Sequence, residues 1–584
     1  MLTSTMKQQD QTNYLEGRQL IFACIALNAA NGVAFTDLVG VPNLLSTIAI
    51  ELDAGNTISW AVTASLVAST IGQCLLGYLS DILGRKRMIL SALSILTVAS
   101  LLAALSAVPN SSILYYAARA IAGLATGSIS NLVNIAQNDF LPTGKRERYQ
   151  GIQGLSVAAG SLTGSFVGAA LITGNGGYWY FLHIVIAILS SVTGMIVWLC
   201  VPSGVPWPTW KETIAQAGTV DWSGIGLGAI AVTTATVALT EGPNFGWGSA
   251  STISLSVAAG VSTILFVCIG SRMLRAKIGL REKRSRAIIP FTLFHNRTIF
   301  AIYMQNMLFG AVYWAFMEFM PYYWQVVRRK QILVSAAFMA PYIVAHGIVS
   351  TCAGQVTGRL IQRGRRSWSL SLWFGFSCWS LAMVLLAALG EAWPPIAICF
   401  VQVLVGVGSG CTFQVSVNAI RTQVNKEENA VAIGARNVLR FFGGTWGTAL
   451  FSCLMKVWLK QDLPKHLRSL AKSTFSKPKI DLYSPEDQNE IMTAYSITIS
   501  KSWYVCFGII FVCVLLCPVL KDQPTRKVDD EEARPSDSDT DNALCAHLGV
   551  TKVESGADCQ SKGRSASPSE KSWQETGISD GTRG

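Results

Sequence analysis

A few ionisable side chains stand inside long apolar runs of this sequence: Asp37, Arg119, His183, Glu318, His346, Arg436 and Arg440. A charge at the centre of a bilayer costs about 2.5–3.5 kcal/mol on insertion scales, so each marks a position where function is expected. Asp37 lies in Asn31-Gly-Val-Ala-Phe-Thr-Asp37-Leu-Val-Gly40-Val-Pro42, where Gly32, Gly40 and Pro42 weaken a helix. Burial raises a carboxyl's proton affinity and a nearby cation lowers it, so an acid exposed to two environments in turn can load and release a proton. Its alternative role is to bond a neighbouring helix. Arg119 opens the series Arg119, Gly123, Gly127 on one helical face; the glycines permit close helix approach and the arginine is a fixed cation. Asn131, Asn134 and Asn138 continue as a polar stripe that faces either a wet cavity or a hydrogen-bonding neighbour. Asn306, Gly310, Trp314 and Glu318 recur every fourth residue, with Glu318 a candidate to attract a cation, relay a proton, or pair with Arg328 or Arg329. His183 and His346 have no carboxylate at helical spacing and read as packed histidines.

Such groups need lipid-spanning helices to hold them. With 584 residues, 51% hydrophobic and only 14% charged, and a mean hydropathy of +0.39, the chain has too little charge for a water-facing surface of its size. A soluble enzyme is disfavoured. Apolar runs recur near 20–42, 58–79, 88–107, 113–136, 150–173, 180–201, 222–241, 251–270, 298–320, 333–354, 369–389, 394–415, 433–455 and 498–519, which predicts fourteen spans. Loops after even-numbered spans carry Arg85 to Arg87, Lys145 to Arg148, the block Arg272 to Arg286, and Arg359 to Arg366, which puts both termini in the cytoplasm. Arg328, Arg329, Lys330 and the basic loop 456–497 run against that rule. Most of the 14 cysteines stand singly in apolar runs, with no CxxC metal or redox spacing. Residues 1–19 lack the pattern of a cleavable signal, so the first run is expected to stay as a span.

The stretch 521–584 holds nine basic and thirteen acidic residues, and its composition predicts a disordered cytoplasmic tail. Ser536 and Ser538 are candidate phosphorylation sites there. The sequons at Asn110 and Asn296 are expected to stay unmodified. The formal charge of +12 therefore falls in loops beside anionic lipid, and nucleic acid is not needed to explain it. No G-x-x-x-x-G-K-S/T loop and no His/Asp/Glu cluster is present, which disfavours ATP-driven transport, metal chemistry and a membrane-embedded enzyme. No cofactor is expected.

The loop after the second run reads Gly77-Tyr-Leu-Ser-Asp81-Ile-Leu-Gly84-Arg85-Lys86-Arg87. A tight turn with one acid beside a basic cluster can form a charge network in one conformation and lose it in another. It resembles the signature loop of the major facilitator superfamily, Gly-x-x-x-Asp-x-x-Gly-Arg-Lys/Arg; a degenerate copy, Gly358 to Arg366, lacks the aspartate. That resemblance implies an all-α fold of two six-helix halves working by alternating access. Further stretches are similar to the fourteen-span drug:proton antiporters of fungi, which export toxins and secondary metabolites. The Arg119-Gly123-Gly127 helix resembles their second motif, and Asn138-Asp139-Phe-Leu-Pro142 with Lys145 and Arg146 resembles the segment that ends it. Gly151, Gly160, Gly164 and Gly168 resemble the antiporter motif G-x8-G-x3-G-P-x2-G-G, with Ser165 and Ala169 at its proline and last glycine. Tyr322-Tyr-Trp-Gln325, Thr412-Phe-Gln414 and Leu439-Arg440-Phe-Phe-Gly443-Gly444-Thr-Trp-Gly447 add later matches.

The resemblance implies halves at 20–201 and 298–520, a linker 202–297 with two extra helices, and a cavity among the first, fourth, ninth and twelfth spans. Asp37, Arg119 and Glu318 would then couple protons. Gly77, Asp81, Gly84, Arg85, Lys86, Asp139 and Arg146 would gate. Asn131, Asn306, Trp314, Tyr322, Gln325, Gln414 and Arg440 would line the cavity. The implied activity is proton-coupled export of a small amphipathic molecule by a monomer in the plasma membrane. The alternatives are a symporter importing a siderophore, a vacuolar basic amino-acid transporter, and a sensor that keeps the transporter fold.

Overall fold

Lipid offers the backbone no outside partner, so segments of this composition close their hydrogen bonds within helices. A computed structural model describes residues 15, 17–55, 57–141, 146–174, 178–203, 209–218, 220–270, 291–363, 368–388, 393–424, 428–472 and 483–522. The first six helices are α1 (Gly17–Glu51), α2 (Ser59–Leu83), α3 (Arg85–Leu105), α4 (Ser112–Phe140), α5 (Arg146–Gly174) and α6 (Tyr180–Cys200). A short α7 (Trp210–Ala217) leads to α8 (Trp222–Phe245) and α9 (Ala250–Gly270). The second set is α10 (Arg297–Val326), α11 (Ile332–Gln362), α12 (Trp368–Ala388), α13 (Pro395–Phe413), the short α14 (Val415–Arg421), α15 (Asn429–Asp462) and α16 (Pro485–Leu516).

Among the described residues, twelve helices are long and apolar enough to cross a membrane. The remaining two long helices, α4 and α15, carry much of the buried polar chemistry, including Arg119, Asn131, Arg436 and Arg440. That content dilutes their hydropathy while fitting them for an interior position. The outer helices show the converse: Leu370 is 70% and Phe400 72% exposed, an apolar surface whose natural solvent is lipid.

In the first set α2 packs on α4, α1 on α5, and α3 on α4 and α6; in the second, α10 packs on α15, α11 on α13, and α12 on α13 and α16. The two sets meet along α5–α11, α2–α15 and α1–α10. The extra helices α8 and α9 pair with each other, and α8 rests on α15 and α2, so the insertion leans on the seam between the sets.

Several boundaries differ from the sequence reading. α1 runs unbroken through Pro42 to Glu51, because Gly32 and Gly40 serve as contact points for α5 rather than as breaks. The twelfth apolar run divides at Gln414 into α13 and α14. The loop expected over 456–497 is largely helical: α15 extends to Asp462 and α16 begins at Pro485, with Lys501 Nζ 2.8 Å from Asp462 closing them together. Asn296 of the second sequon caps α10, its side chain accepting from the Thr298 and Ile299 amides. Arg328 and Arg329, exceptions to the charge rule, reach the Trp393 carbonyl and Gln488. The basic block 272–286 and residues 523–584 lie outside the described residues.

Candidate functional site

α1 and α4 come together with α2 so that Asp37, wholly buried, receives the guanidinium of Arg119 at 2.6 Å. Arg119 also donates to Ser65 Oγ at 3.3 Å. The approach depends on the glycines that follow the arginine. A Cβ on Gly123 would sit 2.1 Å from the Ser65 carbonyl oxygen and one on Gly127 2.5 Å from that of Ser69, so α4 can lie against α2 only without side chains there. Asp37 Oδ2 keeps no hydrogen-bond partner among the described residues. The pair therefore combines a tight charge contact with a free lone-pair site, in surroundings that exclude water. His183 meets Tyr115 edge to face, with Nε2 3.4 Å from its hydroxyl, as a packed histidine.

The antiporter-type glycines of α5 divide between two contacts. A Cβ on Gly160 would meet the Gly32 carbonyl oxygen at 2.0 Å, one on Gly164 the Thr36 carbonyl oxygen at 2.2 Å, and one on Gly168 the Leu44 side chain at 2.8 Å, so these three lock α5 to α1 around Asp37. Gly151 instead faces Gln355 and Thr351 of α11, across the seam. One motif thus serves both the acid's helix and the joint between halves.

At one end of the bundle, Arg85 at the start of α3 bridges Asp81 at 2.5 Å and Asp139 at 2.9 Å. Gly84, with φ of +93°, makes the sharp turn that aims Arg85 at both acids. Lys86 departs from the cluster and donates to the Trp198 carbonyl at 2.7 Å. The side chain of Arg146 lies outside the described residues. Gly77 stands over Asn131, whose side chain donates to the Gln73 carbonyl at 3.2 Å. A small open cleft lies here between α2 and α15, lined by Gln73, Gly77, Asp81, Arg85, Asn131 and Val438.

The second set holds the remaining predicted residues, not all in one place. Trp314 stacks on Phe35 of α1 at 6.4 Å and covers Gly444 of α15. Asn306 accepts from Ser416 at 3.3 Å. Glu318 is 3% exposed, faces Thr448, and forms no ion pair with Arg328 or Arg329. Tyr322 packs against Tyr495 of α16, ring centroids 6.0 Å apart. Gln325 accepts from Ser46 Oγ at 2.8 Å and donates to the Asn43 carbonyl at 3.1 Å, joining α10 to α1 near their C-terminal ends. Arg440 lies 4.4 Å over the Phe413 ring, and Arg436, one turn earlier, donates to Ser416, Asn437 and the Phe413 carbonyl.

The halves touch through the depth of the molecule. Beyond the Gln325 contact, Thr445 meets Thr70 at 3.0 Å, Asn437 donates to Asn131 at 3.1 Å, Gln414 donates to Gln153 at 3.4 Å, and Arg421 donates to Asn138. The asparagine stripe of α4 is thus spent largely on hydrogen bonds within α4 and across the seam. The spacing of Arg436, Thr70, Thr445 and Lys456 in the sequence carries no signal of these contacts. Lys456 Nζ donates to the Thr240 carbonyl at 2.8 Å and lies 3.9 Å from Glu241, tying α15 to α8; both residues stand at the edges of apolar runs, where they look like ordinary interfacial charges.

Two helical sets joined through a polar seam, with buried charge between helices and an apolar exterior, describe a multi-pass membrane protein. The chain belongs to the Major Facilitator Superfamily, whose family model matches residues 27–448. Among curated proteins it is similar to Citrate exporter 1 of Yarrowia lipolytica, 29% identical over 95% of this chain and 79% of that protein. It is also similar to the MFS-type transporter clz4 of Cochliobolus lunatus, 28% identical over 90% and 91%, and to Efflux pump FUS6 of Gibberella fujikuroi, 24% identical over 91% and 94%. Solved structures share the fold: an auto-inhibited POT family peptide transporter aligns at 14% identity and TM-score 0.56 over 89% of this chain and 99% of that one. The xylose transporter XylE from E. coli aligns at 12% and 0.52 over 88% and 100%.

Proposed function

We propose that the protein is a proton-coupled secondary active exporter of a small amphipathic molecule, working by alternating access in the plasma membrane with both termini cytoplasmic. The observation that carries this reading is the buried pair of Asp37 and Arg119. A proton arriving at Asp37 would compete with the Arg119 guanidinium for the same carboxylate, so parting α1 from α4 would exchange one for the other. A movement of the halves that opens the site to one face and then the other would load and release a proton at each cycle. One proton moving down about 100 mV gains roughly 2.3 kcal/mol, and one pH unit adds about 1.4 kcal/mol. Together these sustain a gradient of a neutral solute of a few hundredfold.

Placement supports the gating roles. The Asp81–Arg85–Asp139 network lies where the basic loops gather, at the cytoplasmic face in this orientation, and braces the ends of α2, α3 and α4. The Gln325 contact with Asn43 and Ser46 closes the opposite face. Outward export is supported by the exporter and efflux-pump names among the relatives. Deleting the gene should raise the intracellular level of the cargo and lower its level in the medium. A broad metabolite comparison would identify the cargo by pairing intracellular gain with loss from the medium, and unchanged retention across it would defeat the export reading.

A further inference from the structure

The ionisable groups buried in the two sets are unequally paired. In the first set Arg119 is matched by Asp37. In the second, Arg436 and Arg440 are 1% and 4% exposed, and no described carboxylate lies within ion-pair distance of either. Glu318 does not serve them. It faces Thr448, eight residues beyond Arg440 on α15 and so about 12 Å along the axis.

Arg436 is fixed in place by the Phe413 carbonyl, Ser416 and Asn437, though its Nε has no partner. Arg440 is held differently. Its guanidinium lies 4.4 Å over the Phe413 ring and 5.7 Å from Phe441, and Nη1 is buried without an acceptor. A buried guanidinium left unmatched is costly, and a planar carboxylate matches it in charge and in the spacing of its two oxygens. The surroundings say what should be attached to that carboxylate. Both arginines lie against the Phe413 ring, Phe441 flanks Arg440, and Trp314 closes on Gly444 one turn further along.

We infer that Arg436 and Arg440 form an anion site in which Arg440 directly binds the carboxylate of a small organic acid and Arg436 supplies the second positive charge. This rests on the transporter reading and names the cargo class that it leaves open. Because the positive charge is built into α15, the site discriminates by charge as well as by shape, and a neutral isostere forfeits the guanidinium.

The test uses the purified full-length protein and three probes of similar shape, benzoate, benzamide and benzylammonium, followed by tryptophan fluorescence and by protection against thermal unfolding. Benzoate should bind at least tenfold more tightly than the other two. Arg440→Gln should cut benzoate affinity about tenfold and leave benzamide unchanged, while Arg440→Lys retains part of the preference. Equal binding of the three probes to the unmodified protein overturns the inference without recourse to any variant, as does undiminished benzoate binding by folded Arg440→Gln. Proton-driven export by a protein indifferent to probe charge would sink the anion site and leave the exporter reading standing. Charge-selective binding without proton-driven transport would do the reverse.

Discussion

Replacing Asp37 by Asn separates the structural from the coupling role of the buried pair. Arg119 is 3% exposed, and without the carboxylate its remaining described side-chain partner is Ser65 Oγ at 3.3 Å. Breaking a buried pair by removing one partner costs about 3–5 kcal/mol, because the other charge stays desolvated. Asparagine keeps the shape and can still accept one hydrogen bond, so Asp37→Asn should lose about 3 kcal/mol. Arg119→Gln in the same chain removes the orphaned charge and should recover more than half of that loss. Coupling behaves differently. Neither the single nor the double variant has a titrating group at position 37, so neither should accumulate cargo against its gradient in inverted vesicles with an acid lumen, although downhill exchange should survive in the double variant. Stability is read by denaturation of the purified proteins and transport by vesicle uptake. A destabilisation below about 1 kcal/mol in Asp37→Asn would show that the pair is solvated like a surface bridge. Proton-driven accumulation in either variant would eliminate Asp37 as the coupling acid.

Asp81→Ala leaves Arg85 its bond to Asp139 and removes a contact whose acid is 33% exposed, so it should cost at most about 1 kcal/mol of stability. It should slow turnover more than it weakens cargo binding; lost affinity at an unchanged rate would contradict a gating role. Gly160→Ala places a methyl group 2.0 Å from the Gly32 carbonyl oxygen and should destabilise by about 1–3 kcal/mol with loss of transport, whereas Gly434→Ala, with open space around it, should be silent in both. Glu318→Gln removes a buried carboxyl that has no ion-pair partner among the described residues and should leave stability intact; an unchanged proton-to-cargo ratio in vesicles would exclude it from the proton path.

Much of the architecture was legible because lipid makes helices readable as runs of hydropathy, and because a charge inside such a run has few reasons to be there. The pairing of Arg119 with Asp37 follows from an arginine and its glycines at one helical spacing, once α4 is set beside α1. The split of Gln414 from Phe413 was not readable, since Gly406, Gly408 and Gly410 before it suggest a loosened helix without saying where it divides. Nor was the latch formed by Gln325: a polar residue near a helix end looks the same whether it faces cargo or another helix. Arg436 was visible as a buried charge but had no assignable role, because whether a carboxylate reaches it depends on the packing of several helices and not on one. Lys456 and Glu241 lie at run edges, where hydropathy carries least information. Tyr322, placed in the cavity by resemblance, turns to α16 because its aromatic neighbour Tyr495 lies there.

Proton coupling is the claim on which the proposed mechanism depends, and it can be measured on the unmodified protein once the cargo is known from the metabolite comparison. Inverted vesicles with a lumen one pH unit more acid than the medium should concentrate the cargo about tenfold for each proton exchanged. Collapsing the gradient with nigericin should return it to the outside level. Accumulation that is indifferent to nigericin, or that never exceeds the outside concentration, would contradict the account.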